Sequence, residues 1–163
     1  MKPEEAFDKY HGAIYEFAYR LTRRADVAED LTQECFLAYV RAPERYVESR
    51  GTVKTYLFSI ARNLALKHYR DHRALVPLEA EYVAGADPRR SIEVSAAVEL
   101  AVAGLPPLQR EALVLFEYSG VTLEELAAIV GADVGTVKSR LHRARERLRR
   151  SLAPYGKVGN AHG

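Results

Sequence analysis

VTLEELAAIVGADVGTVKSRLHRARERLRR, residues 121–150, contains two helical patterns separated by a glycine turn. Thr122 and Glu125 are spaced as a capping box, in which each side chain satisfies a free backbone N–H at a helix start. After that cap, Leu123, Leu126, Ala127 and Val130 share one helical face, and Gly131 ends the run. A second helix begins at Val134. At about 100° per residue, Val137, Leu141, Ala144 and Leu148 form one apolar stripe along it. Ser139, His142 and Arg143 fall on the opposite face, with Lys138 and Arg145 flanking the stripe. Two helices joined by a short glycine turn, each with one apolar face, outline a helix-turn-helix.

Charge then separates a solvated helix from a binding one. Residues 134–150 hold Lys138, Arg140, Arg143, Arg145, Arg147, Arg149 and Arg150 against Glu146 alone. A helix that only faces water mixes its signs, because like charges one turn apart repel. A cation cluster with so little internal neutralisation is suited to phosphates, whose counterions it displaces. In a helix-turn-helix the early part of the second helix meets base edges. That position belongs to Lys138, Ser139, His142 and Arg143. Arg140, Arg147 and Arg150 are read as phosphate contacts, which set affinity rather than sequence preference, or as plain surface charges.

Working outward, the chain has 163 residues with a net charge of +2, so its basic character is local rather than global. A single cysteine, Cys35, rules out an internal disulfide and a multi-cysteine metal site. The N-terminal MKPEEAFDKYHGA carries acids where a signal peptide needs an apolar run. No stretch reaches the roughly 18 apolar residues of a membrane span. These features predict a cytoplasmic protein without membrane insertion. Nucleotide loops, nucleophile–base pairings and metal-ligand clusters are missing, so no catalytic residue, metal or cofactor is expected. His68 and His72 stand four apart on a helical pattern, but their basic neighbours disfavour a cation.

Helical periodicity runs through the rest, with almost no alternating strand pattern. The expected class is all-α: two small helical domains, residues 1–73 and 92–152, joined by a flexible linker, 74–91, and followed by a tail, 153–163. In the first domain helices are expected over about 4–23, 26–41 and 52–72. Asp26 is the expected N-cap of the second and Thr52 of the third. Pro106 and Pro107 mark a helix start in the second domain, since proline is tolerated in a first turn. The linker has two prolines and one glycine and no period. As a coil its ends average about 25 Å apart, and extended it reaches about 60 Å, so the domains could touch separate sites.

Two helices of the first domain carry candidate chemistry. DVAEDLTQECFLAYVRA, residues 26–42, groups Asp26, Glu29, Asp30 and Glu34, with Gln33 beside them and Leu31, Cys35, Phe36 and Tyr39 as apolar surface. A core helix with a solvated acidic side and a docking face for a basic partner both fit this pattern. TVKTYLFSIARNLALKHYRDHR, residues 52–73, mixes Lys54, Arg62, Lys67, Arg70 and Arg73 with Tyr56, Phe58 and Tyr69. Aromatic rings can stack on unpaired bases while cations follow the strand, and Asn63 can hydrogen-bond a base edge. Leu57, Ile60, Ala61 and Leu64 are read as core.

With these residues in view, the chain resembles the extracytoplasmic-function (group 4) sigma factors of the sigma-70 family of bacterial RNA polymerase. AEDLTQECFLAYVR is similar to the core-binding segment of region 2, and TYLFSIARNLALKHYR to its promoter-melting and −10-reading segment. LPPLQREALVLFEYSGVTLEELAAIVGADVGTVKSRLHRARERLR is similar to region 4, which reads the −35 element. The resemblance implies a non-enzymatic subunit that docks on core RNA polymerase, at the β′ clamp through Asp30, Leu31, Gln33, Glu34 and Phe36, and at the β flap through region 4. It implies −10 contacts by Tyr56, Arg62, Asn63, Lys67 and Arg70, with base capture by the loop over about 43–52. It further implies −35 contacts by Thr136, Lys138, Ser139, Arg140, His142 and Arg143, and regulation by an anti-sigma factor. The chain departs from the family in having Tyr56 where Trp is common, which offers a smaller stacking ring. Two other readings compete: a plain helix-turn-helix regulator, which leaves the acidic and aromatic helices without a task, and a sigma-like decoy for an anti-sigma factor, which has no need of the cation helix.

Overall fold

The computed structural model describes residues 1–72 and 91–156, and every described secondary-structure element is helical. Helices α1 (Pro3–Thr22), α2 (Ala25–Arg41) and α3 (Val53–Asp71) form the first unit. Helices α4 (Ser91–Ala103), α5 (Pro107–Leu113), α6 (Leu123–Val130) and α7 (Val134–Ser151) form the second. The expected linker, all but its last residue, lies outside the described residues, as does the tail beyond Gly156.

The helix ends follow local chemistry. Thr52 caps α3, its Oγ1 accepting from the Thr55 backbone N–H at 3.2 Å. Thr122 and Glu125 close their capping box at 2.9 and 3.1 Å. Asp26, however, does not cap α2. Arg23 leaves α1 in the left-handed region at φ 59°, so the chain turns early and Arg24 takes the cap position. Asp26 then sits in the first turn, where its carboxylate meets Arg24 Nη2 at 3.1 Å and favours the positive helix end. A further difference from the periodic reading is a π turn, Val114–Tyr118, that extends α5 before Gly120. The wider turn carries Val114 and Leu115 into the core while Glu117 and Tyr118 remain partly exposed.

α1, α2 and α3 pack against one another around Ile14, Phe17, Cys35, Leu57 and Phe58. Phe17 and Phe58 meet edge-on with ring centres 5.5 Å apart, the arrangement aromatic quadrupoles prefer. In the second unit α7 lays Val137, Leu141 and Ala144 against α5 and α6. The two units also share one apolar core, with Phe17, Leu57, Phe58 and Ala61 in the same cluster as Leu115, Leu126 and Ile129. α6 packs on α3, and the π turn packs on α1.

Candidate nucleic-acid interface

The glycine turn places α7. Gly131 adopts φ 68°, ψ 39° at the end of α6, a left-handed conformation that glycine enters without a side-chain penalty. Asp133 then caps α7, its Oδ1 accepting from the Thr136 N–H at 2.7 Å. The Thr136 hydroxyl, and with it this backbone N–H, favours the ionised carboxyl and holds it below the usual carboxylate range. With the stripe Val137, Leu141, Ala144 buried, the opposite face points outward. Thr136, Lys138, Ser139, His142 and Arg143 are all exposed, and Arg140 is half-buried. Arg145 is drawn to Glu117 at 2.7 Å, and Arg149 to Glu146. Lys138, Arg143, Arg147 and Arg150 have no ion pair among the described residues. A shallow groove bordered by Gln109, His142, Arg143, Glu146, Arg147 and Arg150 runs along this helix, with Glu146 as its one carboxylate. The geometry is that of an open cation face, free to receive a polyanion.

The residues singled out on α3 separate into two directions. At about 100° per residue, Tyr56, Asn63, Lys67 and Arg70 lie within one face; Asn63, Lys67 and Arg70 are exposed and Tyr56 is partly so. Tyr56 stands beside Tyr46 at 5.4 Å and Tyr39 at 6.2 Å between ring centres, so its ring is held by two others. The preceding loop is braced by Tyr46, whose hydroxyl donates to the Gly51 carbonyl at 3.0 Å. Arg62 points elsewhere, into the seam between the units. Its Nε and Nη2 donate to Glu111 Oε2 and Oε1 at 2.8 and 3.0 Å.

On α2, Asp30, Gln33 and Glu34 are exposed on a common face, whereas Leu31 and Phe36 are buried. Leu37 and Val40, which the sequence reading passed over, are 45% and 50% exposed next to those acids. Their signal was present: Leu37 lies three and four residues beyond Glu34 and Gln33, on the same side of the helix. Glu111 was also missed: it stands between Arg110 and the apolar run ALVL, and nothing in its neighbours marks it as buried.

Known families match both helical units. The Sigma-70 region 2 model matches residues 6–75, and the Sigma-70 region 4 model matches residues 95–148. The chain belongs to the sigma-70 family. Within it, the relatives are of the extracytoplasmic-function type. This sigma factor is 32% identical to the ECF RNA polymerase sigma factor SigW of Bacillus subtilis, over 89% of this chain and 86% of SigW. It is 35% identical to SigE of Mycolicibacterium smegmatis over 93% of this chain, and spans 62% of that longer relative. Among solved structures, the sigma factor RpoE of Bartonella quintana, seen in complex with the anti-sigma factor NepR, superposes with a TM-score of 0.71. It is 30% identical, and the alignment covers 92% of this chain and 96% of RpoE. CnrH, at 23% identity, shares the fold with a TM-score of 0.72. The region 2 match falls on α1–α3, and the region 4 match on α4–α7.

Proposed function

We propose that this sigma factor directs promoter-specific initiation by docking on bacterial core RNA polymerase and engaging the promoter at two places. The observation that carries the reading is the division of labour across one chain: an exposed cation face on α7 whose Lys138, Arg143, Arg147 and Arg150 have no ion pair among the described residues, an aromatic and basic face on α3, and an acidic face on α2. A polymerase-independent regulator has use for the first alone.

In this reading α7 enters the −35 major groove. Lys138, Ser139, His142 and Arg143 meet base edges, and Thr136, Arg140, Arg147 and Arg150 meet the backbone. The α3 face of Tyr56, Asn63, Lys67 and Arg70 takes the melted −10 strand, with Tyr56 stacking and the cations following phosphates. Extruding a base costs a few kcal/mol of stacking, which contacts around α3 and the loop over 43–52 must offset. Asp30, Gln33 and Glu34 dock a basic element of the β′ clamp, and exposed Leu37 and Val40 add apolar contact. Buried Leu31 and Phe36 position that face from below. Region 4 would reach the β flap.

No residue is assigned a catalytic, metal-binding or cofactor role. Among the described residues there is no cluster suited to a metal ion, and no helix is long and apolar enough to cross a membrane. The protein acts where the polymerase acts, in the cytoplasm. Because RpoE of Bartonella quintana was solved with an anti-sigma factor, we assign a partner of the same kind to this chain. The deciding experiment is run-off transcription with purified core polymerase on templates randomised at −35 and −10. Selective start sites that depend on this chain support the reading, and absence of core binding refutes it.

A further inference from the structure

The seam between regions 2 and 4 is built from cations of one and carboxylates of the other. Glu99 of α4 pairs with Arg20 at 2.7 Å and Arg23 at 3.1 Å, and the Arg20 guanidinium lies 3.8 Å from the centre of the Tyr118 ring. Arg110 returns the connection, donating to the Leu21 carbonyl at 2.9 Å. The deepest pair is Arg62 with Glu111. Glu111 is 2% exposed, and its two oxygens form the bidentate fork that a guanidinium also makes with phosphate.

Arg62 is the one member of the −10 set that faces away from the other four, and the carboxylate it meets comes from region 4. We propose that Glu111 is an internal phosphate mimic: in the free chain it occupies Arg62 and latches region 4 over α3, and a single-stranded promoter backbone takes its place when the regions separate. The inference rests on the assignment of α3 to the melted strand. It has a directional consequence. The exposed residues of α7 and the acidic face of α2 remain outside the seam, so the latched chain can meet duplex DNA and core polymerase. Only the strand-binding function is withheld. Docking therefore precedes opening, and opening releases Arg62.

The ion pair alone does not close the seam, because α6 also packs its apolar side on α3. Removing Glu111's charge nevertheless leaves a guanidinium with little solvent and no counter-charge, and breaking a buried pair from one side is strongly unfavourable for the state that buries it.

The test uses the full chain and two readouts. Small-angle scattering reports whether the regions separate, and anisotropy reports binding of a fluorescein-labelled, randomised single strand of about 12 nucleotides. Glu111→Gln should enlarge the radius of gyration and tighten single-strand binding by about tenfold, while binding to a randomised duplex stays within about twofold of the parent. Glu124→Gln, an exposed α6 carboxylate outside the seam, controls for loss of a negative charge and should change neither. The latch is overturned if Glu111→Gln leaves both readouts unchanged, if it opens the chain without gain in strand binding, or if Glu124→Gln gives the same gain. Should Glu111→Gln lose its helical circular dichroism, Arg62→Gln is read by scattering instead: an expanded chain supports the latch and a parental profile refutes it. Core binding and run-off transcription by the parent chain are measured alongside. If these succeed while the variants fail, the latch alone falls. If the parent neither binds core nor directs transcription, the promoter reading falls, and the scattering contrast still decides whether Glu111 holds the seam.

Discussion

Arg143 and Cys35 show how environment sets what a side chain can do. Arg143 is exposed, unpaired among the described residues and beside the α7 groove. Arg143→Ala should weaken −35 duplex binding by about 1–3 kcal/mol and relax preference at one base position. Anisotropy titrations on a set of single-base variants check this, and an equal loss on every sequence would make Arg143 a phosphate contact. Cys35 is the opposite case. It is fully buried, its thiol reaches the Leu57 carbonyl at 3.3 Å, and burial pushes it up to about 12. The native thiol should resist iodoacetamide at neutral pH and react only at the rate of unfolding. The sign of the linkage follows: a folded-state value above the unfolded one favours folding most at low pH. Stability is retained below the ordinary value of 9.0 and declines toward about 12 as only the unfolded chain releases the proton. Urea titrations across that window measure it.

At the scale of elements, the turn between α6 and α7 bears the orientation of the recognition helix. A side chain at Gly131 would meet nothing within 4 Å, so its substitution is felt through the backbone alone. Gly131→Ala should cost about 1–2 kcal/mol, the penalty of a left-handed residue with a Cβ, read as a lower urea midpoint with an unchanged slope. The helices, the capping box at Thr122 and the outward face of α7 were legible because each is written within a few residues: a cap, a period, a glycine. The π turn was not, since Val114–Tyr118 has the same periodic pattern as an ordinary helix and is selected by packing on α1. The early start of α2 was missed for a similar reason. Asp26 is a good cap by type, but the left-handed Arg23 turns the chain before it. The seam was illegible as well, because Arg62 and Glu111 are 49 positions apart and Arg20 and Glu99 are 79 apart. No local pattern joins them.

The whole molecule combines a shared core with surfaces left open for partners. Because Phe58 of region 2 and Leu126 of region 4 belong to one cluster, the free chain should unfold in a single calorimetric transition. Phe58→Ala, expected to cost about 3–5 kcal/mol, should lower that transition as a unit; two separate transitions would mean that the seam adds little to stability. Outside the core, the acidic face of α2 lies away from the seam and from α7. Asp30→Ala combined with Glu34→Ala removes two exposed carboxylates whose Coulomb attraction to a basic clamp acts at close range and is screened by salt. The double variant should lose affinity for core polymerase, most visibly at low ionic strength, while duplex binding through α7 is unaffected. Interferometry with immobilised core polymerase, repeated across a salt series, separates the outcomes. A parallel loss in parent and variant as salt rises would show that these carboxylates contribute nothing and would move the docking site to the apolar residues Leu37 and Val40. A parent affinity that falls steeply with salt beside a variant affinity that does not would locate the electrostatic part of docking on α2.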